Sequence, residues 1–266
     1  MQTEAYRVTA IVSTYKSERF MRACLEDLAS QTLFPQTEVI VIDSASPENE
    51  GAIVREFQER HPNIRYVRTD QRETLYAAWN RAIGLSAAPY LTNANTDDRH
   101  APDAFARLAA VLDKCPEVDV VYARTAITCV AGSRFGAAPI TGYFKARKFD
   151  RQRLFYDCLP GPQPMWRRSL HDRFGLFDPA FVSSGDYEFW LRISGQARFE
   201  HVRKCLGLFL DSSNGLMRRT GSQAEQEAEL ARDRHWPKEW GTRTARKRSW
   251  LDHWTRRSTY RQLMKR

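Results

Sequence analysis

Val8-Thr9-Ala10-Ile11-Val12-Ser13, followed after a helical interval by Glu38-Val39-Ile40-Val41-Ile42, sets the architecture. Both are short apolar runs and read as buried strands. Between them Phe20, Met21, Cys24, Leu25 and Leu28 recur at helical spacing over residues 18–31. The alternation continues outward. A helix beginning at Pro47 carries Ile53, Val54 and Phe57 on one face, and residues 64–67 form a third strand. A helix over 74–85, a strand over 90–92, a helix over 102–112 and a strand over 118–122 complete it. Strand and helix in strict turn predict an α/β fold, a mainly parallel sheet with helices on both faces.

Such sheets bind ligands at the carboxyl ends of their strands. That directs attention to residues 13–17, 43–46 and 93–98. No G-x-G-x-x-G follows the first strand and no G-x-x-x-x-G-K-[ST] occurs anywhere, which removes the Rossmann dinucleotide and P-loop readings. Beyond residue 124 the pattern weakens. Gly132, Gly136, Pro139 and Gly142 suggest loops or a hairpin, and Leu159-Pro160-Gly161-Pro162-Gln163-Pro164 a rigid loop. A short helix over 185–194 opens at Asp186; late strands are expected at 201–202 and 206–210, and helices over 223–234 and 243–265.

Composition narrows the function classes. The 266 residues are 42% hydrophobic and 27% charged, an ordinary globular balance that argues against disorder. No apolar run is long enough to span a bilayer, and no signal peptide is expected. Five scattered cysteines argue against a disulfide framework and for a reducing, cytoplasmic setting. The net charge of +9 is concentrated at one end: residues 232–266 hold 12 Lys/Arg against 3 Asp/Glu, while the preceding 231 residues balance. Four of the seven tryptophans, Trp236, Trp240, Trp250 and Trp254, lie among those cations. A basic, Trp-bearing end suits an anionic membrane surface or, less well, nucleic acid; a solvated helix, or one packed on the body through Trp236 and Trp240, is the plainer reading.

Asn93-Ala94-Asn95-Thr96-Asp97-Asp98 follows the fourth strand directly. Two adjacent carboxylates there are stable if exposed or if a cation shares them, and hard oxygen donors suit Mg²⁺ or Mn²⁺ with a phosphate completing the shell. An Asx turn before the helix near Pro102 explains them equally from the residues alone.

These stretches together resemble family 2 glycosyltransferases. Val8 to Lys16 looks like the family's opening strand and turn, and Val39 to Ser46 like its second strand with an aspartate then a serine. Tyr76-Ala77-Ala78-Trp79-Asn80-Arg81-Ala82-Ile83 is similar to its Ala- and Asn-bearing helix. Asn95-Thr96-Asp97-Asp98 stands at its D-x-D metal motif, and Gly185-Asp186 at its later acidic motif. The resemblance spans about residues 6–212 and implies a GT-A fold: a nucleotide-binding half over about 1–124, an acceptor half over about 125–215, and a basic helical extension over 216–266.

The roles the resemblance implies are these. Ser13, Thr14 and Tyr15 surround the nucleobase, with Tyr15 stacking on it, and Asp43 bonds the base edge, although it also suits a turn before Pro47. Asn80 faces the nucleotide, Asn95 and Asp97 reach it, and Asp97 and Asp98 hold the metal. Gln163 and Trp166 touch the acceptor sugar; a packed Trp166 is the alternative. Asp186 is the general base that takes the proton of the attacking hydroxyl, and it also suits a helix cap. Two departures matter: Asn95 replaces the first aspartate of the motif, and Asp211-Ser212-Ser213-Asn214 lacks a histidine found in many relatives. The implied activity is inverting, metal-dependent transfer from a nucleotide diphosphate sugar, with UDP as the expected carrier, to a glycan or lipid-linked acceptor at the inner face of a membrane. A nucleic-acid acceptor and a non-catalytic nucleotide-sugar-binding protein are the alternatives.

Overall fold

The computed structural model describes residues 5–144, 146–212 and 216–242. Nine strands form one sheet in the order β3-β2-β1-β4-β8-β6-β9-β5, with β7 paired to β6. They are β1 (Val8–Thr14), β2 (Thr37–Asp43), β3 (Ile64–Arg68), β4 (Tyr90–Asn93), β5 (Arg99–His100), β6 (Val120–Thr128), β7 (Gly142–Phe144), β8 (Met165–Arg167) and β9 (Phe199–Leu210). β1, β2, β3, β4, β6 and β9 run in one direction and β5, β7 and β8 against them. The mainly parallel α/β fold expected from the sequence is therefore present. β2 is buried along its whole length because it lies between β1 and β3 under helices on both faces.

Two apolar layers flank the sheet. One packs α1 (Glu18–Ala29), α2 (Glu50–Gln58) and α4 (Ala104–Lys114) against Val8, Ala10, Val39 and Val41. The other packs α3 (Leu75–Leu85), α6 (Ser169–Phe174), α7 (Gly185–Ile193) and α8 (Leu216–His235) against Ile11, Ile40 and Ile42. Alternate residues of β1 and β2 thus feed opposite layers, as the two-residue strand period requires. The remaining helix, α5 (Arg151–Leu154), is a single turn.

Two differences from the sequence reading have clear causes. α2 starts at Glu50 rather than Pro47, because residues 44–49 are used in a turn whose Ala45 adopts φ 51°. The two late strands are one, β9, irregular beside Ala123 and Arg124 of β6. Residues 223–240, read from sequence as part of an extension, pack onto the body of the fold: Trp236 and Trp240 stand edge-on to Phe155 at 5.3 and 5.1 Å. The expected basic helix over 243–265, with Trp250 and Trp254, lies outside the described residues. Among the described residues no helix is long and apolar enough to cross a membrane.

Candidate active site

In-register pairing brings Thr14, Asp43 and Arg68 side by side at the carboxyl ends of β1, β2 and β3. The turns beyond are tied together by Glu50, which is fully buried. Its Oε1 accepts hydrogen bonds from Thr14 Oγ1 (3.2 Å), Ser17 N (2.9 Å) and Ser46 Oγ (2.8 Å). Ser46 Oγ in turn accepts from Lys16 N at 2.9 Å. Lys16 and Ala45 both hold positive φ, so each turn carries backbone strain of about 1–2 kcal/mol, as is common where a site is pre-formed.

Of the four residues expected here, Ser13 and Tyr15 present accessible surface, whereas Thr14 and Asp43 do not. Thr14 points to Glu50. Asp43 accepts from Ser46 N, Tyr66 Oη and Arg68 Nη1, so its carboxylate holds the ends of β2 and β3 rather than offering an oxygen to a base. The Arg72 guanidinium lies 4.1 Å from the Tyr15 ring centroid and covers one face of it. Sequence reasoning missed Glu50 and Arg72. An acidic residue in a first helical turn looks like ordinary dipole compensation, and a lone arginine in a loop carries no signal.

At the exit of β4, Asn95, Asp97 and Asp98 lie together. Asp98 is 1% exposed; its Oδ1 accepts from Leu210 N and its Oδ2 from Asn95 Nδ2, both at 3.1 Å. Burial raises both carboxyls above the usual range, Asp98 further because Asp97 lies beside it. Two desolvated acids of one sign fit a hard divalent cation, which would relieve their repulsion. Among the described residues no group of three or more His, Cys, Asp or Glu is arranged to hold a metal.

Asp186 is the second residue of α7. Its Oδ1 accepts from Tyr76 Oη (3.0 Å) and from Tyr187 N (2.8 Å), and burial raises its carboxyl. Gly185 is required beside it, since a Cβ there would stand 2.7 Å from the Tyr76 ring. The loop carrying Cys158 and Pro162 links the two acidic places: burial and the Asp186 charge push the Cys158 thiol up, and Pro162 O accepts from Asn93 Nδ2 at 2.7 Å.

Three residues expected at ligands have partners inside the fold. Asn80 grips the backbone of Phe177 from both sides, accepting from its N–H at 3.0 Å and donating to its carbonyl at 2.8 Å, so its amide is committed to the fold. Gln163 is 6% exposed, donates to Arg99 O and is wedged against Gly207. Trp166 has no exposed surface; it packs on Trp190 and Phe177 and donates to His171 Nε2 at 2.9 Å. Its polar handle is satisfied inside the core, and neither it nor Gln163 is presented to an acceptor.

The strand order, the acidic exit of β4 and the aspartate on α7 define the GT-A class of fold. Residues 9–174 match the family model described as Glycosyl transferase family 2. The chain belongs to that family. It is 22% identical to the chondroitin synthase of Escherichia coli over 227 residues, which cover 85% of this chain but 32% of that one. Staphylococcus aureus TarS 1–349 in complex with UDP-GlcNAc superposes with a TM-score of 0.69 at 19% identity, covering 88% of this chain and 68% of that one. The mannosyltransferase PcManGT of Pyrobaculum calidifontis, in complex with GDP-Man and Mn²⁺, gives 0.64 at 21% identity, covering 87% and 66%.

Proposed function

We propose that this glycosyltransferase moves a sugar from a nucleotide diphosphate sugar, with UDP as the carrier, to a hydroxyl of a glycan or glycoconjugate acceptor, with inversion. The observation that carries the reading is Asp186: a carboxylate with raised proton affinity, held by Tyr76 at the start of a helix, one loop away from the acidic exit of β4. Asp186 takes the proton of the acceptor hydroxyl as that oxygen bonds the anomeric carbon. The carbon–phosphate oxygen bond breaks in the same displacement, and its electron pair leaves with the nucleotide diphosphate. Ser13 and Tyr15 bind the nucleoside, with Arg72 beside the ring. Asp97 and Asp98 would hold Mg²⁺ or Mn²⁺, which supplies charge stabilisation to the departing diphosphate. The nucleotide sugars bound to TarS and PcManGT, the Mn²⁺ of the latter and the polymer named for the chondroitin synthase support the donor class, the metal and the acceptor class in turn.

A screen of nucleotide sugars for released nucleoside diphosphate tests the reading. Steady release with one UDP-sugar, lost in Asp186→Asn, is expected. No release with any donor in the presence of metal and a panel of glycan acceptors would leave a binding protein on this fold.

A further inference from the structure

Catalytic helices need their first turn fixed, and α7 does not fix its own. Ser184 occupies the N-cap, yet its side chain makes no capping bond within the helix; Ser184 Oγ donates instead to Ala224 O on α8 at 3.1 Å. The preceding backbone is held by one side chain from α8. Glu227 Oε1 accepts from Val182 N at 2.9 Å, and Oε2 accepts from Ser183 N at 2.9 Å and Ser184 N at 3.0 Å. Glu227 is 9% exposed, and no Lys or Arg pairs with it among the described residues. A buried carboxylate without a cation is costly unless donors surround it, and here three consecutive backbone N–H groups do so.

We infer that Glu227 is a positioning residue for the catalytic base, clamping the segment 182–184 that delivers Asp186 to the site. The inference rests on Asp186 being the base. Two further grips from α8 keep the helices in register. Arg232 Nε donates to Tyr187 Oη at 3.3 Å, and Glu188 Oε1 accepts from His235 Nε2 at 2.6 Å. The titratable groups facing Asp186 are Tyr76 from α3, Cys158 from its loop, the adjacent Tyr187 and Glu227. Burial raises the Asp186 carboxyl most, and the charge of Glu227 adds to the rise.

The test is Glu227→Gln in the full chain. A glutamine presents an N–H₂ to backbone donors, so the clamp opens. UDP affinity by calorimetry should stay the same while kcat falls by about 10²-fold, the scale of a small misplacement of a catalytic group. The acid limb of the kcat profile should move to lower pH, because a negative charge near Asp186 is gone; a purely structural contact would leave that limb in place. Glu227→Asp, which keeps the charge, should return the limb to its original position. Unchanged kcat and an unmoved limb in Glu227→Gln would overturn the inference. Should the variant fail to fold, amide exchange of the unaltered protein decides. Slow exchange at residues 182–184, matching α7, supports the clamp, and rapid exchange refutes it. Turnover surviving in Asp186→Asn would remove the base itself, an outcome separate from the exchange result.

Discussion

His171 is buried and Asp186 half-buried, and desolvation pushes their proton affinities in opposite directions. For the carboxyl the shift is upward. A general base works ionised, so kcat should fall as pH drops through that raised value, and Asp186→Asn should cost about 10²–10⁴-fold in kcat with UDP affinity retained. Turnover near the original level in that variant removes the assignment. For His171 the shift is downward, to about 4, because it is desolvated. Its Nδ1–H donates to Gly175 O while Nε2 accepts from Trp166, a neutral tautomer using both nitrogens. The unfolded chain takes up this proton below about pH 6.5 and the folded chain only near 4. Stability is therefore lost as pH falls through that window, at up to about 1.4 kcal/mol per unit. Urea midpoints at pH 7 and pH 5 measure the loss, and His171→Gln, which cannot titrate, should flatten it. Equal slopes in both proteins would contradict the account.

Elements were legible where the chain alternates between buried strand and amphipathic helix, and their ends were not. β1 through α4 follow directly from apolar period. The partners of Asp43, Asn80, Gln163 and Trp166 were not legible, because a residue type at a family position does not say which way its bonds run. Asn80 and Gln163 have partners far along the chain, Phe177 and Arg99, whereas Trp166 donates to His171 five residues on and Asp43 accepts from both near and distant donors. Asn80→Ala strands a buried N–H and a carbonyl, at about 1–3 kcal/mol for each group. A fall in Tm with donor affinity intact is expected, and the reverse pattern would restore the nucleotide contact. Gly207 is a similar case. A Cβ there would lie 1.6 Å from Gln163 Oε1, so Gly207→Ala should cost about 1–3 kcal/mol through overpacking, read from chemical denaturation. A neutral change would mean that Gln163 is free to turn aside.

Across the whole molecule the charge asymmetry and the acidic pair have separate tests. If Asp97 and Asp98 share a divalent ion with the donor diphosphate, chelation should abolish turnover and Mn²⁺ or Mg²⁺ restore it; full activity in excess EDTA refutes the metal. The sequence expectation for the basic end is reversible binding to anionic liposomes at low salt, each cation near the surface contributing about 1 kcal/mol. A chain ending at Thr242 should stay folded, since Trp236 and Trp240 already pack on Phe155, and should lose that binding. Equal sedimentation of both chains would exclude the end as an anchor. None of the grip of α8 on α7 was visible in the sequence, where residues 223–234 read as a polar helix among many: a glutamate that caps another helix looks the same as one that faces water.

That grip has a consequence for the order in which the protein becomes able to work during its synthesis. The strands β1 to β4 and the acidic exit emerge first and can pack as a unit. Glu227 follows 134 residues after Asn93, which at about 5–20 residues per second is a delay on the order of ten seconds. For the first 93 of those residues the nascent chain has no Asp186, and for the last 41 it carries Asp186 without the clamp that aims the aspartate. The ribosome-bound chain is then expected to hold nucleotide before it can transfer sugar, so turnover begins only after Glu227 has been made and packed.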